Sequence, residues 1–208
     1  EQIGAGRSVV IEYSSPNVAK RLHAGHIRSP IIGHVLGNLY EAVGYNVHRI
    51  NYINDWGGFG FLLAGKSRWP DHSPEDIYLK YRQLEEEGGA TFDEFKSEAD
   101  KRFMRLENGK DEEKKIWKGM VDESVKQFNA FYEGFDISFD EITGESAFAE
   151  KGNEIVENAL MSGKAMIGEG APAVMVRDAA FFLRRSDGTT IYATRDLASL
   201  KDRVERFH

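Results

Sequence analysis

The chain has 208 residues, a formal net charge of −7, 41% hydrophobic and 29% charged residues, and no cysteine. This length can bury one sizeable core with a smaller attachment. The missing thiols exclude a disulfide framework, a thiolate zinc site and a cysteine nucleophile. No apolar stretch approaches the ~20 residues that span a bilayer, so we expect a cytoplasmic protein without a membrane partner. The negative charge argues against avid nucleic-acid binding by this chain alone.

The first predicted unit, residues 1–64, alternates strand and helix. Residues 9–11 form a short β-branched run that is typical of a buried strand. A loop follows, and from Gly25 a helical pattern begins. Its apolar residues recur at spacings near 3.6: Ile27, Ile31, Val35, Leu39 and Val43. A second strand is predicted at 46–53. This order is the βαβ unit of a parallel sheet, which binds ligands where strands end and helices begin.

Residues 65–185 predict an insertion that is first helical and then β. Ser73 is a good N-cap, because Pro74 follows it in the first helical position. Helices are predicted at roughly 74–87, 91–108, 112–133 and 149–162, with a strand-like segment at 135–139. Short apolar runs between 164 and 192, with a hairpin turn at Asp187-Gly188, predict a small antiparallel sheet. Residues 186–208 then return to the first domain, ending in a helix predicted from Arg195.

The junction between the first strand and the first helix carries His23-Ala24-Gly25-His26. A helix N-terminus favours phosphate, because it offers unpaired N–H groups and the positive end of the helix dipole. The imidazoles add donors, Gly25 allows a close backbone approach, and Lys20 adds a cation. Such fixed donors suit nucleotidyl transfer. Taken alone, the histidines are equally consistent with surface residues, whereas a zinc site lacks a third ligand.

Three sequence blocks precede or follow this motif: Val10–Lys20, Asn54–Gly57 and Ser186–Leu197. The His-x-Gly-His motif resembles the signature of class I aminoacyl-tRNA synthetases, and the three blocks in this order resemble arginyl-tRNA synthetases more narrowly. The resemblance implies an α/β fold: the first half of a Rossmann-like (HUP-type) parallel-sheet nucleotide-binding domain, with a mixed helical/β insertion.

The resemblance also implies an activity, in which L-arginine is activated with ATP to arginyl-adenylate and transferred to tRNA(Arg). It assigns His23, Gly25, His26 and Lys20 to ATP, and His23, His26 and Lys20 to catalysis. Mg²⁺ would arrive with ATP, and no protein metal site is implied. The tRNA-binding parts would lie mostly outside this chain. No Lys-Met-Ser-Lys-Ser loop is present, so we expect the remaining catalytic strands and the anticodon-binding domain beyond His208.

An arginine side chain needs a planar partner and carboxylates that accept its forked donors. By resemblance, the residues expected to bind arginine are Glu12, Ser14, Asn17, Tyr192 and Asp196. Tyr192 would stack on the guanidinium, and Asn17 would hold the α-amino or carboxylate group. From the sequence alone, each of these residues is equally consistent with a surface role, and Asp196 with capping its helix.

Two alternatives come from other classes of protein. Residues 60–67 fit the P-loop pattern Gly-x4-Gly-Lys-Ser. A P-loop needs a helix directly after Lys-Ser, whereas Pro70 and Pro74 interrupt one here, and residues 61–64 are apolar like a helix that packs inward. The other alternative is a non-catalytic module that binds arginine or ATP.

Overall fold

The structure, a computed structural model, describes residues 2–207. The chain forms two compact units, Glu1–Thr143 and Gly144–His208. Among the described residues, no helix is both long and apolar enough to cross a membrane. The predicted domain boundaries at 64 and 185 stay predictions.

The first unit begins with the predicted βαβ arrangement. Strand β1 (Ser8–Glu12) leads through a loop to helix α1 (Arg28–Ala42), and strand β2 (Asn46–Ile53) follows. The two strands pair in parallel, with Val10 opposite His48. Strand β3 (Glu141–Gly144) completes the sheet in the order β1-β2-β3. The expected α/β fold class is therefore confirmed.

Helix α1 packs on the sheet through its smallest residues. Its buried residues are Pro30, Gly33 and Gly37. A Cβ atom added to Gly33 would lie 2.3 Å from Cγ of Tyr13, so the helix approaches the sheet closely only because glycine stands there. Several of the apolar residues whose spacing predicted the helix are exposed, namely Ile31, Val35 and Leu39.

Four further helices complete the first unit. They are α2 (Gly60–Arg68), α3 (Pro74–Glu87), α4 (Gly89–Glu107) and α5 (Asp111–Glu133). The three predicted helices of this region are confirmed within about two residues, and Ser73 caps α3 by accepting from the backbone N–H of Asp76 at 3.2 Å. Helix α2 packs on α4 and buries Leu62, Leu63 and Ala64. The P-loop interpretation fails here, because residues 60–67 lie inside a helix and form no phosphate-binding loop.

The strand-like segment predicted at 135–139 is wrong. The structure has turns there and begins β3 only at Glu141. The end of α5 explains the difference, because its free carbonyls bind the following amides. The N–H of Asp136 donates to Glu133 at 3.3 Å, and the N–H of Ile137 donates to Tyr132 at 3.1 Å. Asp136 itself has a left-handed backbone, with φ of 54°.

The second unit combines two helices with a small sheet. A 3₁₀ turn (Glu145–Phe148) leads into α6 (Ala149–Met161), then β4 (Met166–Gly168), β5 (Ala171–Val176), β6 (Ala179–Phe182) and α7 (Tyr192–Arg206). The predicted antiparallel sheet is confirmed, since β4, β5 and β6 pair in that order. The last helix begins at Tyr192 and not at Arg195, so the apolar run that ends at Tyr192 contributes one isolated bridge, Arg184 with Thr190, and no strand.

Candidate active site

The two motif histidines are held by the backbone of their own turn. His23 caps a 3₁₀ turn (Ala24–His26) that ends with His26 and precedes α1. Helix α1 itself starts three residues later than the pattern predicted. Nδ1 of His23 accepts from the N–H of Gly25 at 3.0 Å, and Nδ1 of His26 accepts from the N–H of His23 at 3.2 Å. The rings meet edge to face with centroids 4.1 Å apart.

This capping arrangement selects one tautomer of each ring. A neutral imidazole has one donor nitrogen and one acceptor nitrogen. Because Nδ1 accepts in both His23 and His26, the proton of each neutral ring lies on Nε2. The pair therefore presents two Nε2–H donors, which is the polarity that a phosphate oxygen requires.

The surroundings of His26 favour the neutral form of its ring. Partial burial lowers the pKa of His26 below 6.5, and the nearby charges of His23 and Lys20 lower it further. Two predicted ATP-binding residues, Lys20 and His23, thus act on the pKa of the third, His26. The Lys20 ammonium also lies 4.9 Å from the ring centroid of Tyr78 on α3, a cation–π contact that restrains its position.

Gly25 is needed for the position of the His23 ring. A Cβ atom at this residue would lie 2.9 Å from Cε1 and 3.1 Å from Nδ1 of His23. Any side chain there would push the ring away and weaken the bond that fixes its tautomer.

An open cleft of about 420 Å³ lies where β1 ends and α1 begins. It brings the predicted arginine-binding residue Glu12 and the predicted ATP-binding residue Gly25 onto one surface. Its lining residues are Ile11, Glu12, Tyr13, Gly25, Arg28, Ser29, Ile32, Gly33 and Leu36. The Oγ of Ser15 donates to Glu12 at 3.0 Å and helps to orient that carboxylate.

The loop between β1 and the histidines has an unusual backbone. Three residues that are not glycine lie in the left-handed region: Ser14 at φ 74°, Ser15 at φ 48° and Ala19 at φ 73°. Such conformations cost roughly 1–3 kcal/mol each and persist where the surrounding structure enforces them. They are concentrated at functional sites, and here they fall within the first of the three sequence blocks, Val10–Lys20.

The predicted residue Asn17 is held by the second sequence block. Asn17 and Asn54 form an isolated parallel bridge, and Nδ2 of Asn54 donates to Oδ1 of Asn17 at 2.9 Å. The indole N–H of Trp117 on α5 donates to the carbonyl of Asp55 at 2.7 Å. The Asn54–Gly57 block therefore links the loop to the helical segment. The amide of Asn17 is oriented with its oxygen toward Asn54.

Tyr192 and Asp196 lie on α7 in the second unit, whereas Glu12, Ser14 and Asn17 belong to the first. Both residues are exposed. Between them, the buried Arg195 donates through Nε to Glu145 and through Nη1 to Thr190, each at 2.8 Å. This buried pair anchors the start of α7. Asp196 does not cap the helix, because Ile191 occupies the N-cap position.

Sequence reasoning missed the helix that supports the loop. Ser124 and Tyr132 of α5 are buried, and both contact it: Ser124 Oγ accepts from the N–H of Ala19 at 3.4 Å, and the Tyr132 hydroxyl lies 2.6 Å from Ser14 Oγ. With Trp117, these polar residues are spaced by seven and eight positions, so they share one face of the helix. That spacing is a signal that the sequence contained, although the apolar stripes of α5 obscured it.

Comparison with known proteins now bears on this geometry. A family model described as the catalytic domain of class I (R) tRNA synthetases matches residues 1–208. The chain belongs to this family. Arginine–tRNA ligases of Clostridium botulinum strain Loch Maree and Clostridium kluyveri strain ATCC 8527 are 36% and 38% identical to it, over 99% and 95% of the chain. The chain covers 38% and 36% of those relatives, so it spans well under half of their length.

Solved structures of the family share the fold. The chain superposes on arginyl-tRNA synthetase of Plasmodium falciparum with a TM-score of 0.71 and 26% identity, covering 94% of this chain and 34% of that one. The enzyme of Thermus thermophilus gives a TM-score of 0.70 at 20% identity, covering 94% and 36%. The predicted family and the α/β fold class are both confirmed.

Among the described residues, no three His, Asp or Glu side chains are grouped so as to hold a metal ion.

Proposed function

We propose that this chain supplies part of the catalytic domain of an arginine–tRNA ligase. That enzyme joins L-arginine to ATP, forming arginyl-adenylate and pyrophosphate, and then transfers arginine to the terminal adenosine of tRNA(Arg). The observation that carries the proposal is the pair of imidazoles whose Nδ1 atoms are occupied by backbone amides. Their Nε2–H groups form a fixed donor set for phosphate, in a chain whose whole length matches the family.

In the first step, the arginine carboxylate attacks the α-phosphorus of ATP and the bond to pyrophosphate breaks. Negative charge on the phosphate oxygens is stabilised by the donors of His23 and His26, with Lys20 as the neighbouring cation. Mg²⁺ enters bound to ATP, as part of that substrate. The nucleophile belongs to the substrate, so the protein contributes position and charge stabilisation.

In the same proposal, arginine is held by residues of the loop and of α7. Because the oxygen of the Asn17 amide accepts from Asn54, its Nδ2 is oriented to donate, which suits the carboxylate of arginine better than the ammonium. Glu12 accepts from a cationic group of the ligand, Tyr192 stacks on the guanidinium, and Asp196 accepts its forked donors. In the full-length relatives, most of the contacts with tRNA would be made by the segments that this chain does not cover. We also propose a cytoplasmic location.

Calorimetric titration of the chain with L-arginine, L-citrulline and L-lysine, with and without ATP, tests this proposal. Citrulline keeps the shape of arginine and loses its charge. We expect it to bind about 10- to 150-fold more weakly, since a hydrogen bond to a charged group is worth about 1.5–3 kcal/mol. The Asp196→Asn variant should lose arginine affinity in the same range.

The matched control is Asp202→Asn on the same helix, where the carboxylate pairs with Lys151 at 2.6 Å. This variant should bind arginine like the wild type. Equal binding of arginine and citrulline would refute a site built for a guanidinium. Equal loss in both aspartate variants would show that Asp196 acts through the stability of the unit and not through the ligand.

A second titration, with ATP, separates the two nitrogens of His26. Asparagine in its place keeps an acceptor near the Nδ1 position and loses the outward donor, whereas glutamine places its amide near Nε2. We expect His26→Asn to weaken ATP binding by about tenfold or more and His26→Gln to weaken it less. His72→Asn, outside the motif, serves as the control. A larger loss of ATP affinity in His26→Gln than in His26→Asn would show that the capping bond to Nδ1 matters more than the outward donor at Nε2.

A further inference from the structure

Tyr132, near the end of α5, carries a buried hydroxyl to which the proposed function gives no role. Its side chain is 2% exposed, and its hydroxyl contacts two residues that are far away in the sequence. Ser14 Oγ lies 2.6 Å from the phenol oxygen, across a separation of 118 residues. Nδ2 of Asn51, a residue of β2 that is 1% exposed, donates to the phenol oxygen at 3.2 Å.

The directions of these bonds follow from Asn51. Its Oδ1 accepts from the backbone N–H of Ser15 at 3.2 Å, which leaves Nδ2 as the group that faces Tyr132. The phenol oxygen therefore accepts from Asn51. A buried hydroxyl hydrogen needs an acceptor of its own, and Ser14 Oγ supplies it. Consequently the hydrogen of the Ser14 hydroxyl is directed away from Tyr132.

The same contacts act on the strained turn. Ser14 and Ser15 are consecutive left-handed residues, and each is bonded to this pair: Ser14 through its hydroxyl and Ser15 through its N–H. Two consecutive residues in this region require outside support. Tyr132 and Asn51 provide it from helix α5 and from strand β2.

We propose that Tyr132 is a positioning residue that, together with Asn51, fixes the Ser14–Ser15 turn and makes the Ser14 hydroxyl a donor to the carboxylate of the bound amino acid. A hydroxyl that accepts one hydrogen bond becomes a stronger donor in the next, so the phenol improves the serine as well as orienting it. The carboxylate contact rests on the proposed function, whereas the support of the turn does not depend on it.

The ligand-free test uses Tyr132→Phe, which removes the hydroxyl and keeps the ring. Hydrogen exchange followed by mass spectrometry should show faster exchange in peptides covering residues 13–20. The control is Tyr81→Phe, which removes another partly buried tyrosine hydroxyl, bonded to Glu85 at 3.0 Å, within the same unit. Unchanged exchange at 13–20 in Tyr132→Phe would overturn the positioning role, whatever the chain binds.

The ligand test measures arginine affinity in Ser14→Ala, Tyr132→Phe and the double variant. Each single change should weaken arginine by about tenfold. The double variant should bind like Ser14→Ala, because Tyr132 acts through Ser14. Agmatine, which lacks the carboxylate, should bind all four proteins equally. The carboxylate contact would be overturned if the losses of arginine affinity in the two single variants added up in the double variant. It would also be overturned if the variants lost as much affinity for agmatine as for arginine. Absence of arginine binding by the wild type would instead refute the proposed function, and the exchange result would still decide the role of Tyr132.

Discussion

The His26 imidazole combines a fixed tautomer with a lowered pKa, and the two effects have separate causes. The tautomer follows from the backbone bond to Nδ1, whereas the pKa follows first from burial and then from the charges of His23 and Lys20. Folding therefore favours the neutral ring. Its contribution to stability is complete above pH 6.5 and is lost as the pH falls through the folded-state pKa.

We expect His23→Gln to raise the pKa of His26 partway toward 6.5. The substitution removes a neighbouring charge and leaves the burial of His26 in place, so the pKa of His26 does not return fully to 6.5. NMR titration of the imidazole Cε1–H resonance measures this directly. His72→Gln is the control and should leave the value unchanged. A His26 pKa that stays constant in His23→Gln would show that the charge of His23 does not contribute to it.

At the level of single residues, the sequence predicts the shared turn of the two histidines better than it predicts the support of the loop. His23, Gly25 and His26 are close in sequence, so their spacing alone predicts a shared turn. The roles of Asn51 and Tyr132 depend on contacts across 36 and 118 residues. The spacing of polar residues on α5 marks a shared face of the helix but not its partner, because a tyrosine on an amphipathic helix is compatible with many partners.

Among the elements, α1 depends on a residue that has no side chain. A methyl group at Gly33 would overlap the Tyr13 ring, and the Tyr13 hydroxyl is itself fixed by a bond to the carbonyl of Ser138 at 2.6 Å. We expect Gly33→Ala to reduce the free energy of unfolding by about 1–3 kcal/mol, as overpacking does. The measurement is urea unfolding followed by tryptophan fluorescence, since all three tryptophans lie in residues 1–143.

Gly119→Ala is the matched control for this prediction. Gly119 lies inside helix α5 of the same unit, and an added Cβ meets no atom within 4 Å. Alanine there should stabilise the chain by about 0.5–1 kcal/mol, because it restricts the unfolded backbone. If both substitutions changed the free energy of unfolding alike, helix propensity and not the contact with Tyr13 would explain the effect.

The elements themselves were predictable where local chemistry defines their ends. Helix α3 began at the expected residue because Ser73 and Pro74 specify a start. The segment at 135–139 was misread because its apolar residues suggest a strand, while its amides are bound by the end of α5. The predicted start of α7 at Arg195 is three residues late for a similar reason, because the β-like run that ends at Tyr192 continues into the helix.

For the whole molecule, the support of the loop has a consequence for the order of folding. The Ser14–Ser15 turn is encoded near the start of the chain, and its partner Tyr132 comes 118 residues later. At synthesis rates of about 5–20 residues per second, roughly 6–24 s separate the two on the ribosome. During that interval the left-handed serines have no helix to hold them. The loop is therefore made well before the helix residue that holds it, and it reaches its native conformation only after that residue has been made. Long-range contacts of this kind slow folding.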